Sequence, residues 1–191
     1  IYRRLTDELL VELHLLSHQK SFKANNLFSI GLNKVFQDFM QGYKPAEHVN
    51  KLFDALCSCN GFNSKDIKKQ SEETLNEIRN HSIESIEEFF KNMGKESESS
   101  LSNYLDSTKN KDIYYSRLSA IGLLTILKES KDNGKASKEE IVNKTQILSE
   151  QIGFSSSRVS KDIGIYNTNL DKLQQALELI NESIKREKKK K

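Results

Sequence analysis

Residues that interrupt helices are scarce in this sequence, which has one proline, Pro45, and eight glycines among its 191 residues. Tryptophan is absent. A protein built from many strands needs turn signals about every 8–12 residues, and those signals draw on proline and glycine. The 36% hydrophobic and 30% charged content is typical of a folded protein with a narrow core and much solvated surface. The sequence therefore predicts an all-α fold.

Cysteine is nearly absent too, with Cys57 and Cys59 the only two in the chain. They lie too close in sequence to form a disulfide that would staple the fold. Their spacing also differs from the two-residue spacing of zinc knuckles and thioredoxin-type motifs. We therefore expect a reducing compartment and a buried helical thiol rather than a metal ligand.

Long apolar runs are missing as well. The best candidate, 121–127, is far shorter than the ~18–20 residues that cross a bilayer, so no membrane span is predicted. The chain opens at Ile1 inside a helical pattern and without an initiator methionine. This opening predicts a fragment trimmed at its N-terminus.

The net charge of +3 combines two regions of opposite sign. Residues 185–191 hold six Lys or Arg and one Glu, hence +5, which leaves −2 for the rest of the chain. The tail has three interpretations: a solvated helix end, a contact with an anionic membrane surface, or a nucleic-acid site. We expect no nucleic-acid partner, because that site needs a broader basic face with interleaved aromatics. The candidate membrane-surface residues are Lys188, Lys189, Lys190 and Lys191.

Hydrophobic periodicity predicts a succession of helices separated by Gly, Asn and Ser signals. The second segment is apolar around much of its circumference, so we place it in the middle of the core. Residues 95–112 are polar and serine-rich, and they predict a mobile loop anchored by Leu101, Tyr104 and Leu105. The predicted helices cover 2–17, 26–41, 45–59, 65–80, 82–93, 113–130, 137–151 and a long final segment.

The final segment carries apolar residues at alternating spacings of four and three. Such a heptad seam asks for a supercoiled partner helix, which is either this chain's own bundle or another chain. We predict two units, residues 1–153 as a helical bundle domain and 154–191 as a long C-terminal coiled-coil-like helix with a basic tail. The candidate partner-binding residues on the seam are Val159, Ile163, Tyr166, Leu170, Leu173 and Leu177.

No set of residues predicts an active site. His14 and His18 have the four-residue spacing of two metal ligands on one helical face, but no third ligand is indicated. Gly134-Lys135 lacks the upstream glycine and the strand-to-helix setting of a phosphate-binding loop. We expect no catalytic residue, cofactor or metal, and a metal-dependent enzyme using the two histidines is the competing hypothesis.

Several stretches in order along the chain resemble the thylakoid formation protein family. The opening run Tyr2–Leu16 is similar to the family signature, and the match continues through four further stretches. They are Phe39–Pro45, Phe53–Cys57 with Gly61-Phe62 following, Val159–Tyr166 and Gln175–Leu179.

The resemblance implies a helical, non-catalytic protein of cyanobacteria or plastids that serves photosystem II biogenesis and repair. Members of this family attach peripherally to thylakoids, which implies a partly soluble protein on the cytoplasmic, stroma-equivalent side. They are linked to membrane-bound FtsH-type proteases, so the implied partners are those proteases and photosystem II components. No plastid transit peptide is visible, which favours a cyanobacterial origin. The alternative is a helical adaptor for proteins or anionic membranes unrelated to photosynthesis.

The start of the first helix has two interpretations. Spacings of four, four and three predict one apolar helical stripe of Leu5, Leu9, Leu13 and Leu16. Beside it stand Tyr2, Arg3, Arg4 and Asp7, together with Glu8. They would form either a buried ion-pair network where this helix crosses another or a patch that faces a partner. Both interpretations make these positions candidate functional residues.

Overall fold

The structure, a computed structural model, describes residues 2–92, 99–105, 113–132 and 134–189. These residues form helices and connecting turns and contain no strand, which confirms the predicted all-α fold. The elements are α1 (Tyr2–Ser17), α2 (Asn26–Phe39), α3 (His48–Ser58), α4 (Ser64–Ile78), α5 (Ile83–Lys91), α6 (Ser102–Leu105), α7 (Arg117–Lys128), α8 (Lys138–Gln151) and α9 (Ser156–Lys189).

The centre of the bundle is the pair α2 and α7, which make the most extensive contact in the described part of the chain. Every residue from Leu118 to Leu127 is buried, and so is most of α2. The prediction that the second segment lies mid-core is confirmed. Helices α4, α8 and α9 pack around this pair, so a single apolar core runs through the bundle.

Small polar side chains fix where several helices begin. The side chains of Asn63, Ser82 and Ser137 accept hydrogen bonds from backbone N–H groups in the first turns of α4, α5 and α8. Ser116 caps α7 in the same way, with Ser119 N donating to its Oγ at 3.0 Å. Helix α7 therefore begins at Arg117, and the prediction that it starts at Ile113 is wrong.

Helix α3 begins later than predicted. It starts at His48 rather than at Pro45, because the preceding residues form a tighter turn first. In this turn His48 N donates to Pro45 O and Val49 N donates to Ala46 O, each at 3.1 Å. These are i→i+3 bonds, so the regular α-helical ladder starts only after the turn.

The predicted loop over residues 95–112 contains one short helix, α6. Leu101 and Leu105, two of its predicted anchors, are fully buried. Tyr104 is half-buried and packs against the same core. The parts of this loop at 95–98 and 106–112 lie outside the described residues.

Helix α9 is continuous over 34 residues, or about 51 Å at 1.5 Å per residue. Its first half packs against α8, α7 and α2 and shares their core, whereas the side chains from Glu178 to Arg186 are exposed. The first half of the seam therefore packs on this chain's own bundle, and pairing of the exposed half with another chain stays a prediction. The division at residue 153 stays a prediction from sequence.

Across the described ranges, no helix is long and apolar enough to cross a membrane.

Candidate partner-binding groove

Helix α1 carries apolar residues on two faces. The predicted stripe of Leu5, Leu9, Leu13 and Leu16 is buried against the bundle. On the outer side, Val11 and Leu15 are 58% and 60% exposed, and Leu10 is also exposed. Contact of these apolar side chains with water is unfavourable, which makes this face of α1 a candidate binding surface.

A groove of about 960 Å³ runs along this outer side of α1. Its other wall is the extended segment before α7 together with the first turns of α9. We call this feature the α1–α9 groove. Its lining residues are Arg3, Arg4, Asp7, Glu8, Val11, Glu12, Leu15, Leu16, Tyr114, Tyr115, Ser116, Arg117, Arg158 and Asp162.

An ion pair joins α1 to α7 at the floor of the groove. Arg117 Nε donates to Glu12 Oε2 at 2.5 Å, and both side chains are largely shielded from water. Burial raises the pKa of the Glu12 carboxyl, and the cation of Arg117 opposes that shift. The cation of Arg117 therefore offsets part of the cost of placing this carboxylate away from water.

A second contact links the segment before α7 to α9. Tyr115 OH donates to Asp162 Oδ2 at 2.5 Å, and the Arg158 guanidinium lies 4.6 Å from the centre of the Tyr115 ring. Burial, and then the bond to Asp162, raises the pKa of the Tyr115 hydroxyl. These contacts hold the floor of the groove and its α9 wall in place.

The rim at the N-terminal end of α1 is charged and exposed. Arg3 pairs with Asp7 at 3.8 Å and Arg4 pairs with Glu8 at 3.0 Å, each along one helical turn. Arg3 and Arg4 are 95% and 81% exposed, so the interpretation of these residues as a buried ion-pair network is wrong. Solvent-exposed pairs of this kind add little to stability and leave both charges open to a partner.

Tyr2, the remaining N-terminal candidate, lies away from the groove. Its hydroxyl donates to Gln41 O at 2.6 Å and its ring meets Tyr43 edge-on at 5.2 Å. These contacts hold the start of α1 against the turn after α2. The role of Tyr2 that the structure supports is positioning α1.

Most seam candidates on α9 are covered by this chain's own helices. Val159, Ile163, Tyr166 and Leu173 are buried, so these four side chains are not open to a partner. Leu170 and Leu177 are half-buried. The seam residues that remain exposed lie beyond them and are Ile180 and Ile184.

The basic tail is only partly described. Lys188 and Lys189 continue α9, while Lys190 and Lys191 lie outside the described residues. Contact of these four lysines with a membrane surface stays a prediction.

His14 of α1 and His18, which follows the end of that helix, are both exposed at the surface. The rings of His14 and His18 lie 4.4 Å apart, and His18 Nδ1 is 2.9 Å from the backbone oxygen of His14. Among the described residues no group of three or more His, Cys, Asp or Glu side chains is arranged to hold a metal ion. Cys57 is buried, as predicted, and Cys59 is exposed.

The whole chain, residues 1–191, matches the family described as thylakoid formation protein. The chain belongs to that family. Family membership confirms the resemblance of the opening run, which forms one wall of the α1–α9 groove. It gives the chain a role connected with thylakoid formation and photosynthesis.

Relatives of this family come from marine cyanobacteria. Protein Thf1 of Prochlorococcus marinus (strain MIT 9313) is 43% identical over 191 residues, covering 100% of this chain and 79% of the relative. Protein Thf1 of Parasynechococcus marenigrum (strain WH8102) is 40% identical, with 100% and 82% covered. A solved structure of Psb29 superimposes with a TM-score of 0.83 at 31% identity, covering 100% of this chain and 88% of that one.

Proposed function

We propose that this thylakoid formation protein is a non-enzymatic factor for photosystem II biogenesis and repair. It binds a membrane-bound FtsH-type protease or an assembly intermediate through the α1–α9 groove and thereby stabilises it. The observation that supports this proposal is the apolar outer face of α1, which lies in the run that carries the family signature. That run has an exposed recognition surface in addition to its core-facing stripe.

The form of the groove suits one short segment of a partner protein. From Arg4 to Leu15 the groove follows α1 over twelve residues, or about 16 Å along the helix axis. Three turns of a partner helix have that length. Its apolar side chains would lie against Val11 and Leu15, and its polar end would reach Arg3 and Arg4.

The ionisable groups of the groove favour recognition over catalysis. Glu12 is engaged by Arg117, and Asp162 is engaged by Tyr115. A general base needs a free lone pair directed at a substrate proton, whereas these carboxylates already accept short bonds from the protein. These two carboxylates hold the elements that line the groove in fixed positions.

The location that we propose is the cytoplasmic face of the thylakoid, with part of the protein in solution. The tail carries +5 against −2 for the remainder of the chain. Each Lys or Arg near an anionic membrane contributes about 1 kcal/mol, and salt screens this attraction. Such binding is reversible, which suits a factor that meets its partners at the membrane surface.

The test is capture from detergent-solubilised cyanobacterial thylakoids with the tagged full chain. A variant with Val11→Glu and Leu15→Glu removes the apolar wall of the groove at two exposed positions. Its matched control is Ile147→Glu, which changes a side chain that is 56% exposed on α8, a helix that does not line the groove. Thermal melting of all three proteins checks that the bundle is intact.

We expect the parent chain and the Ile147→Glu control to recover protease or photosystem II subunits. The groove variant should recover at least tenfold less, because it places two carboxylates where apolar contact is needed. Failure of the parent chain to recover either class of subunit would overturn the proposed function. Equal recovery by all three proteins would show that the groove is not the binding surface.

A further inference from the structure

The α1–α9 groove continues at the N-terminal end of α1 into a second cavity of about 230 Å³. Arg4 and Glu8 line both spaces, so the two form one continuous surface. We call the two spaces together the extended groove. The lining residues of the second cavity are Arg4, Leu5, Glu8, Asn169, Lys172 and Leu173.

Helix α9 runs antiparallel to α1 along the extended groove. Asp162 lines the groove together with Glu12, whereas Lys172 lines the second cavity together with Arg4. Arg158, one turn before Asp162, therefore lies at the opposite end from Arg4. Arg158 and Lys172 mark the two ends of the α9 wall, about 21 Å apart along the helix axis.

The residues of the α9 wall share one face of the helix. This face also includes Ile165, which is 43% exposed and gives the middle of the face an apolar side chain. At 3.6 residues per turn, spacings of four, three, four and three keep all five positions within about 80° around the axis. The five residues of the face are Arg158, Asp162, Ile165, Asn169 and Lys172.

The cations at the two ends of this wall lack a carboxylate partner. Arg158 and Lys172 are exposed, and neither forms an ion pair within the described part of the chain. The lining arginines of α1 and α7 differ, because each of them pairs with a carboxylate of α1. Asp162, between the two cations, accepts the hydrogen bond of Tyr115. The unpaired lining charges are thus two terminal cations and one carboxylate between them.

We propose that the extended groove takes a helical segment of a partner protein that has a carboxylate at each end of its apolar face. This inference rests on the proposed function, because it names the class of segment that the groove binds. The two carboxylates pair with Arg158 and Lys172, and the apolar side chains lie against Val11 and Leu15. Since both ends carry the same charge, this charge pattern fits a segment of either direction.

An anionic lipid is the other ligand that combines negative charge with apolar groups. The separation of the two cations disfavours it, because a lipid has one head group and meets only one end of the wall. A helix of four turns is about 21 Å long and reaches both ends. The geometry therefore favours an acidic protein segment over a lipid.

The experiment uses two synthetic helical peptides of about 18 residues with leucines along one face. One peptide carries a glutamate at each end of that face, about four turns apart, and the other carries lysines at the same two positions. Fluorescence anisotropy measures the binding of each peptide to the full chain. We expect the parent chain to bind the glutamate peptide at least about tenfold more tightly than the lysine peptide.

Charge reversal in the protein should invert this preference. Arg158→Glu with Lys172→Glu should bind the lysine peptide more tightly, because both end contacts then have the opposite sign. The matched control is Lys51→Glu with Lys185→Glu, which changes the net charge equally at two exposed positions outside the extended groove. It should keep the preference of the parent chain.

Thermal melting checks that each variant is folded. Arg158→Gln and Lys172→Gln are milder changes that keep the test valid if charge reversal unfolds the chain. Each of them should lose part of the preference for the glutamate peptide.

Equal binding of the two peptides, or binding of neither, would overturn the proposal. An equal effect of the control would also overturn it, because net charge alone would then explain the preference. Flotation with vesicles of phosphatidylcholine and phosphatidylglycerol tests the lipid. Vesicle binding that charge reversal abolishes, without peptide binding, would assign the surface to an anionic lipid. Self-association in sedimentation equilibrium that charge reversal abolishes would assign it to a second copy of this chain.

The peptide result is separate from the capture experiment on thylakoids. Recovery of protease or photosystem II subunits without a preference between the peptides would overturn the acidic segment and keep the proposed function. Preference for the glutamate peptide without recovery of those subunits would keep the acidic segment and overturn the proposed function.

Discussion

Gly31 of α2 and Gly122 of α7 face each other where the two central helices cross. A Cβ on Gly31 would lie 3.0 Å from the amide nitrogen of Gly122 and 1.7 Å from Leu118 O. A Cβ on Gly122 would lie 1.9 Å from Leu27 O. The two backbones are therefore in direct contact, and neither position has room for a side chain.

Replacing either glycine by alanine should strongly destabilise the protein. The added methyl group meets backbone atoms of the neighbouring helix, which can move only if α2 and α7 separate. We expect Gly31→Ala or Gly122→Ala to lower the free energy of unfolding by at least about 3 kcal/mol. Urea denaturation followed by circular dichroism measures this change.

The control for that measurement is Gly164→Ala in α9. No atom lies within 4 Å of a Cβ at Gly164, and alanine favours the helix there by about 0.5–1 kcal/mol. This variant should therefore be slightly more stable than the parent chain. If Gly122→Ala were equally harmless, the close crossing of α2 and α7 would be wrong.

Removing the hydroxyl of Tyr166 should leave a buried carboxylate without one of its hydrogen-bond donors. Tyr166 OH donates to Asp38, a buried residue whose carboxylate also contacts Lys34 at 2.9 Å. Tyr166→Phe removes that donor, and we expect a loss of about 1–3 kcal/mol. Asn33→Ala, a change at a buried α2 position outside this cluster, gives the comparison for an ordinary buried amide.

The same tyrosine should make the fold sensitive to alkali. Burial, and then Asp38, raises the pKa of Tyr166 above its ordinary value of 10.0, so the folded chain keeps a proton that the unfolded chain loses. Its contribution to stability is complete below pH 10.0 and is lost as pH rises through the folded-state pKa. The parent chain should therefore lose stability as pH rises above 10.0, and Tyr166→Phe should lose less over the same range. Equal losses of stability in the parent chain and in Tyr166→Phe would contradict this role of the tyrosine.

The ion pair at the floor of the groove should behave as a coupled unit. Arg117→Gln leaves the largely buried Glu12 carboxylate without its cation, and we expect a cost of about 1–3 kcal/mol at neutral pH. Glu12→Gln in the same protein should recover most of that loss. Additive effects in this double-mutant cycle would show that the two side chains do not interact.

Acid should reduce the loss of stability that Arg117→Gln alone causes. Burial raises the pKa of Glu12, so this carboxyl group favours the folded state below its ordinary value of 4.5 and disfavours it as pH rises through the folded-state pKa. The stability gap between Arg117→Gln and the parent chain should therefore narrow as pH falls towards 4.5. A gap that widens on acidification would contradict the sign of this shift.

The stability cost of truncating a seam residue should fall towards the C-terminal end of α9. Leu173 is 2% exposed and Ile184 is 43% exposed, although both lie on the heptad seam. We expect Leu173→Ala to cost about 2–4 kcal/mol and Ile184→Ala under about 0.5 kcal/mol. Equal costs in thermal or urea unfolding would show that the end of α9 packs on the bundle.

Local periodicity was enough to predict which residues of α1 face the core. The spacing of Leu5, Leu9, Leu13 and Leu16 alone identifies its buried stripe, because helix geometry repeats within a few residues. The start of α7 was missed for a local reason. Apolar Ile113 extends the pattern, whereas the boundary depends on the hydroxyl of Ser116.

The groove and the limit of the seam could not be read from sequence. Glu12 and Arg117 are 105 positions apart, and no local pattern marks them as partners. Leu173 and Ile184 look equivalent along the chain, because the heptad period does not record where the bundle ends. That limit is set by the turn at Gly42, which the fold alone places beside Leu177.

A single unbroken helix joins the wall of the groove to the exposed end of the seam. Arg158 and Ile184 are 26 residues apart on α9, which is about 39 Å along its axis. An insertion or deletion within α9 would change this distance, and it would also rotate the exposed end relative to the groove by about 100° per residue.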